Sequence, residues 1–379
     1  MLSRRSFVAG AAAGLVSFAG CRRKPSGYLG FVFVANEEGS AVAVVDLENF
    51  TLARHIRLDD NPSQVVGNPG DGRVYALTPE SGTIHEIRTD TLTFARKLRI
   101  ATSAVAMRLA HDGKNLAVAC GGDHRSIAIV AAAGMKVVSE TPLPADPVDL
   151  DISPDGRFVA VSYGGEQAIG IIRIDDRRTA GMIRCGGEIG KVCFRGDSKC
   201  VIAADQTRHM LSLFDVASRQ QVVDLPLACR PDRWCFNHDG GQLFITGEGG
   251  DGVVIVFPYH TPEVAETVLV GHSPGAMAAS ANPAYLFVAH PKSGNVSVLD
   301  IDSRKLIAVA AVGANPNYIA ITPDGNYALV LNETSGDMAV IRTGSIMQAA
   351  SERWRSRRGA LFMMVPLGSK PVSAAVMPV

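Results

Sequence analysis

Apolar residues in this chain fall in short runs of five to seven, each closed by Gly, Pro, Asn or Asp. The stretch from Pro283 to Asp324 displays the pattern most clearly. Tyr285–Ala289 is apolar, Pro291–Asn295 turns the chain, and Val296–Asp300 is apolar again. Asp302–Arg304 turns it once more before the apolar run Leu306–Val312. Gly313–Pro316 is then a loop, and Tyr318–Thr322 is the fourth run. Val, Ile and their like suit a pleated, buried surface, whereas the bounding residues favour turn geometry or lack a donor. The pattern predicts four short strands in one unit.

The unit repeats. Thr322-Pro323-Asp324-Gly325 ends the fourth run, and the slot of its glycine recurs as Gly30, Gly72, Gly113, Gly156, Ser198, Gly240, Pro283 and Gly325, at intervals of 41 to 43 residues. A lone sheet of four nearly all-apolar strands can bury neither face, but stacked between two like sheets it buries both. Such a period predicts an all-β fold, a β-propeller of eight four-stranded blades. Inner strands are expected before each turn, at Gln64–Asn68, Val105–Ala110, Val148–Ser153, Lys191–Arg195, Arg233–Asn237, Ala276–Ser280 and Tyr318–Thr322. An eighth, Pro371–Val379, has no hairpin after it, and Tyr28–Ala35 starts as a second strand with no first before it. The two ends are expected to pair and close the ring, making 28–379 one domain.

The same residues carry a family resemblance. Phe31–Phe50 (FVFVANEEGSAVAVVDLENF), LFVAHPKSGNVSVLDID and NPNYIAITPDGNYALVLNETSG resemble the YVTN-type β-propeller repeats of bacterial and archaeal surface proteins. Repeat 4 keeps SPDG, while repeats 5 and 6 depart from the pattern with RGDSK and NHDGG. The resemblance implies the propeller fold and leaves activity open. It also sets seven blades, the commoner number in that family, as the alternative to eight.

The N-terminus reads as a processing segment rather than part of the fold. Ser3-Arg4-Arg5-Ser6-Phe7-Val8 resembles a twin-arginine export signal, with Arg4 and Arg5 as its pair. The apolar run Val8–Gly20 is too short to span a bilayer. Phe18-Ala19-Gly20-Cys21 resembles a lipobox, with Phe18 where Leu is usual, so residues 1–20 are expected to be removed and Cys21 to carry the lipid. Residues 21–27 then form a tether. The expected location is the periplasmic or cell-surface side of a bacterial membrane, with the lipid as the link to it.

Composition narrows the partners. The 379 residues carry a formal net charge of zero, which gives no support for nucleic acid, and a monomer is expected. Repeat 8 has an insertion at 344–359 containing Arg353, Arg355, Arg357 and Arg358. It reads either as a basic patch for acidic headgroups or a partner, or as a solvated cap on the last blade.

Two groups of residues are candidates for chemistry. The loops between second and third strands hold Glu37, Glu38, Glu80, Asp123, Glu166, Asp205, Glu248, Asp251, Glu333 and Asp337, with His124, His209 and His290 among a few bases. Carboxylates converging on a channel mouth would suit a divalent cation, a small cationic ligand or a protein partner, although these are also ordinary turn residues. The second group is Arg108, Asp149, Asp151, Lys191 and Arg233 on the inner strands. There a charge needs a partner or channel water, so a charge ladder on the wall is expected, serving either ligand binding or blade register. Six cysteines, Cys120, Cys185, Cys193, Cys200, Cys229 and Cys235, permit disulfides after export without specifying a pairing; buried free thiols are the alternative. The patterns H-E-x-x-H and the P-loop are absent.

Three functions remain open. The first is a non-catalytic lipoprotein that binds a ligand or protein. The second is a lactonase-like hydrolase using mouth carboxylates, with or without a metal. The third is a haem-binding or redox propeller of the nitrite reductase type, for which His124, His209, His272 or His290 would serve as ligand. No cofactor is expected firmly; a divalent cation or haem is admitted by the residues.

Overall fold

The computed structural model describes residues 27–175, 179–346 and 361–379. The export signal with Arg4 and Arg5, the lipid site Cys21, nearly all of the tether and the arginines of the 344–359 insertion lie outside the described residues. The described chain forms eight antiparallel sheets of four strands each. The first contains β1 (Gly30–Asn36), β2 (Ala41–Asp46) and β3 (Thr51–Arg57), completed on its inner side by β32 (Pro371–Pro378). Each of the next seven is a simple meander. Their inner strands are β4 (Gln64–Asn68), β8 (Ser103–Leu109), β12 (Pro147–Ile152), β16 (Ile189–Phe194), β20 (Arg230–Phe236), β24 (Met277–Ala279) and β28 (Pro316–Ile321). Eight blades, not seven, make the ring, and the chain ends close it.

Closure is a full strand pairing. Gly30 faces Pro378, Val32 faces Val376 and Val34 faces Ala374, with a bulge between Ala35 and Asn36. Two side-chain bonds hold β32 to the blades on either side. The Val65 N–H of β4 donates to Ser373 Oγ at 3.2 Å, and Tyr318 Oη of β28 donates to the Ala374 carbonyl at 3.1 Å.

The core lies between blades rather than at one centre. Phe33, Val42 and Val44 of the first blade pack on Val74, Ala76 and Ile87 of the second, and like clusters fill the other junctions. This is why alternate positions on the middle strands are all apolar: both faces of each sheet are interfaces.

The inner strands are less regular than the sequence pattern implies. Pairing with the second strand slips by one residue between Ala104 and Ala106, Pro147 and Asp149, Ile189 and Val192, Pro231 and Arg233, and Pro316 and Tyr318. A bulge of this kind leaves an extra residue unpaired and re-aims side chains around it. Here the extra residues are Val105, Val148, the Gly190–Lys191 pair, Asp232 and Asn317, all near the start of their strands.

Candidate functional site

Those bulges bring the inner-strand charges onto one cavity. It occupies the channel, has a volume of about 740 Å3, and takes Arg108 from β8, Asp149 from β12, Lys191 from β16 and Arg233 from β20. Valines of four strands, Val66, Val105, Val148 and Val372, and Tyr318 line the rest. Among the described residues the wall thus holds three cationic side chains against one carboxylate.

That carboxylate is already engaged. Arg108 Nη2 donates to Asp149 Oδ1 at 3.0 Å, and the Val192 N–H donates to Asp149 Oδ2 at 3.3 Å. Asp151 is not on the cavity wall. Its Oδ2 accepts the Phe194 N–H at 2.8 Å, so it ties β12 to β16, and burial pushes its carboxyl up to about 6. Arg233 pairs with its neighbour Asp232 at 3.1 Å. The charge ladder expected across Asp149, Asp151, Lys191 and Arg233 is therefore corrected. The ion pair runs between Arg108 and Asp149, and both aspartates spend acceptors on the backbone of the next blade because β16 enters through a bulge.

Lys191 is left over. It is partly buried, and burial pulls its ammonium below the usual lysine range. No carboxylate lies within ion-pair reach of it among the described residues. An ammonium withdrawn from water without a counter-ion is costly unless something else meets it.

The mouth above is a second cavity of about 660 Å3 that shares Arg233 with the channel. Arg230, Lys292 and His272 line it together with Asp232, Glu248, Asp251 and the glycine-rich turn Gly247–Gly250. His272 Nδ1 donates to Asp251 Oδ1 at 2.9 Å.

The loop carboxylates gather in two places, Glu248 and Asp251 at the mouth cavity and Glu37, Glu38 and Glu333 around Lys370. Glu37 pairs with Lys370 at 2.6 Å, Glu248 with Arg230 at 3.4 Å, and Glu333 accepts from Asn315 and Asn317 at 3.1 and 3.0 Å. Glu80 and Glu166 are exposed in their own loops. These two sit on separate blades of the rim. No group of three or more His, Cys, Asp and Glu side chains that could hold a metal ion occurs among the described residues.

The histidines separate just as clearly. His124 and His209 are exposed on loops. His290 is 1% exposed, with Nε2 on Ser297 Oγ at 2.9 Å and Nδ1 on the His272 carbonyl at 3.1 Å. Both of its nitrogens are spent on the fold, and burial pulls its pKa down. His272, which borders the mouth cavity, is the one of the four placed to meet a ligand there. The six cysteines stand as free thiols. Burial pushes Cys120 up to about 11 and Cys185 and Cys235 up to about 12, which keeps them as unreactive thiols.

Sequence reasoning missed the apolar strip of the channel and the mouth residues Arg230 and Asp232. Val105 and Val148 looked like ordinary strand residues, and only the bulges, which have no sequence signature here, expose them.

Comparison with solved structures shows the fold. The dihydro-heme d1 dehydrogenase NirN, solved in complex with DHE, matches with a TM-score of 0.75 over 92% of this chain and 75% of that one, at 12% identity. A protein of unknown function from Desulfotomaculum acetoxidans matches at 0.60 and 14% identity, over 92% of this chain and 99% of that one. Kuenenia stuttgartiensis hydrazine synthase matches at 0.56 and 17% identity, over 87% of this chain and 99% of that one. With 1788 solved chains matching, the likeness identifies an architecture and not an activity. No protein-family model matches the chain, and none of the curated proteins is significantly similar to it.

Proposed function

We propose that this chain is an exported, lipid-anchored propeller of the YVTN type that binds a small anionic ligand in its channel and does not transform it. The observation that carries this reading is the channel wall. Arg108, Lys191 and Arg233 face a cavity whose one carboxylate, Asp149, is already tied to Arg108 and to the Val192 N–H. In a protein of zero net charge, that local excess of cations has a purpose only if an anion completes it. Lys191, which makes no direct ion pair among the described residues and has Asp149 and Asp232 only at longer range, is the side chain a ligand would satisfy. The hydrolase reading has less support, because Glu248 and Asp251 at the mouth are already met by Arg230 and His272.

Citrate is a suitable first probe. Calorimetric titration of the wild type is expected to show saturable binding. Lys191→Met is expected to weaken it by roughly ten- to a hundredfold, the worth of one charge-assisted hydrogen bond. Undiminished citrate binding by Lys191→Met, or none by the wild type, would overturn the channel as the site.

One observation favours a second reading, a tetrapyrrole at the mouth. NirN, a dihydro-heme d1 dehydrogenase, was solved in complex with DHE, and His272, bonded to Asp251 through Nδ1, lines a cavity with Arg230, Arg233 and Lys292. Those residues fit an iron ligand beside anionic substituents. A Soret band on adding haem that shifts in His272→Ala would support it, and an unaltered spectrum in that variant would remove His272 from consideration.

A further inference from the structure

The cations reach the channel from β8, β16 and β20, and beside them an apolar strip on β32, β4, β8 and β12 lies uncovered. Val105 and Val148 are 43% and 41% exposed, although both belong to inner strands, where a valine is ordinarily packed against the next blade. Among the described residues they are the two large apolar side chains of inner strands exposed to this degree; the others cited as exposed belong to outer strands or lie beside chain ends. The cause is the bulge. Each valine is the extra residue between paired neighbours, Ala104 and Ala106 or Pro147 and Asp149, and so it points into the channel instead of into the junction. Val372, on β32, is the extra residue of the closing strand in the same way. With Val66 these side chains form an apolar strip in the 740 Å3 cavity that also holds Lys191 and Arg233.

Open apolar surface inside a cavity gains by being covered, and an unpaired ammonium gains by meeting an anion. We infer that the channel takes an amphiphile with one anionic head, of the alkyl carboxylate class, its head on Lys191 and Arg233 and its apolar body along Val66, Val105, Val148 and Val372. This rests on the channel being an anion site, and it adds the half of the ligand that the charges do not see. A cavity of this volume is in the range that encloses most of a drug-sized molecule. A purely polar anion such as citrate would leave the valine strip wet, and an uncharged alcohol would leave Lys191 unpaired.

The test uses the full chain as Cys21→Ser, purified without detergent so that no competing amphiphile is present. Binding of cis-parinaric acid is followed by fluorescence, with displacement by straight-chain carboxylates from butyrate to dodecanoate, by decanol and by citrate. Affinity is expected to rise with chain length by up to about fourfold per methylene until the cavity is filled. Decanoate is expected to bind at least about tenfold more tightly than decanol, the share of the charged head. The double variant Val105→Ser, Val148→Ser is expected to lose roughly tenfold for decanoate while its citrate affinity stays within about twofold. Both valines are already exposed, so the variant has little reason to misfold, and the chain-length series on the unaltered channel stands without it. A flat chain-length series, or decanol binding as tightly as decanoate, would overturn the amphiphile. Citrate binding that still depends on Lys191 would then leave the anion site standing, whereas failure of citrate as well would take both down.

Discussion

Asp151 shows how a single side chain can be costly and still be kept. Its carboxylate holds the Phe194 N–H of the next blade, yet burial raises its pKa to about 6, above the value near 3.9 of an unfolded chain. The folded protein therefore holds this proton more tightly than the unfolded chain does. The contribution to stability is fully present below about pH 4 and is lost as the pH rises through about 6. Asp151→Asn keeps an acceptor for the amide and removes the charge. Relative to wild type it is expected to gain roughly 1–2 kcal/mol at pH 8 and little at pH 4, read from urea midpoints across that range. A difference that does not change with pH would show that the carboxylate is not desolvated as described. Elsewhere Glu86, 3% exposed, is a buried carboxylate held by two cations. It is met by Arg73 Nε at 3.0 Å and Arg96 Nε at 2.7 Å, and Arg96 continues to the Ala133 carbonyl of the next blade at 3.0 Å.

Among the elements, β32 has the most neighbours to lose. It pairs along its length with β1, accepts a bond from β4 and accepts another from Tyr318 of β28. Without it the first blade has three strands, its inner edge is open, and two blade junctions lose one wall. An open apolar edge invites pairing with other chains. Deleting Pro371–Val379 is therefore expected to give aggregated or unfolded protein, far beyond the fraying of an ordinary terminus, measured by soluble yield and far-ultraviolet circular dichroism. A truncated chain that melts like wild type would mean that closure rests on other contacts. The bulged inner strands show the complementary effect, in that one extra residue in β8 or β12 hardly disturbs the blade and yet converts a core valine into part of a cavity wall.

The ring as a whole gives the molecule two unlike ends. Second-to-third and blade-to-blade connections surround the mouth cavity, while Gly27, where the described chain begins, lies against Leu47 and Glu48 in a turn on the other end. A lipid on Cys21 would then hold the protein by the end away from the mouth and leave the mouth cavity facing outward. Wild type is expected in the membrane fraction, and Cys21→Ser in the soluble fraction with an unchanged melting curve. Lipid labelling that persists in Cys21→Ser would refute the anchor. Arg4→Lys with Arg5→Lys is expected to hold the precursor in the cytoplasm, and normal export of that variant would point to a different translocation route.

The sequence alone determined the architecture. Strand length, the 41- to 43-residue interval and the orphan ends at Tyr28 and Pro371 depend on local propensity and on the need to bury both faces of each sheet, and all of these are written residue by residue. Eight blades and terminal closure followed from them; the inner strand Gln64–Asn68 was placed to the residue and the other six to within one to three residues at each end. The identity of the charged wall residues was legible too, because a charge in an apolar run stands out. Their partners were not. Counting alternate positions assumes an unbroken period of two, and the bulges before Arg108, Asp149, Val192 and Arg233 break it. Only the folded ring decides that Arg108 meets Asp149, that Asp151 turns to the Phe194 amide, that the loop carboxylates split into separate groups, and that Val105 and Val148 face the channel. Those outcomes depend on how neighbouring blades are twisted and spaced, and that geometry exists only once the ring is closed.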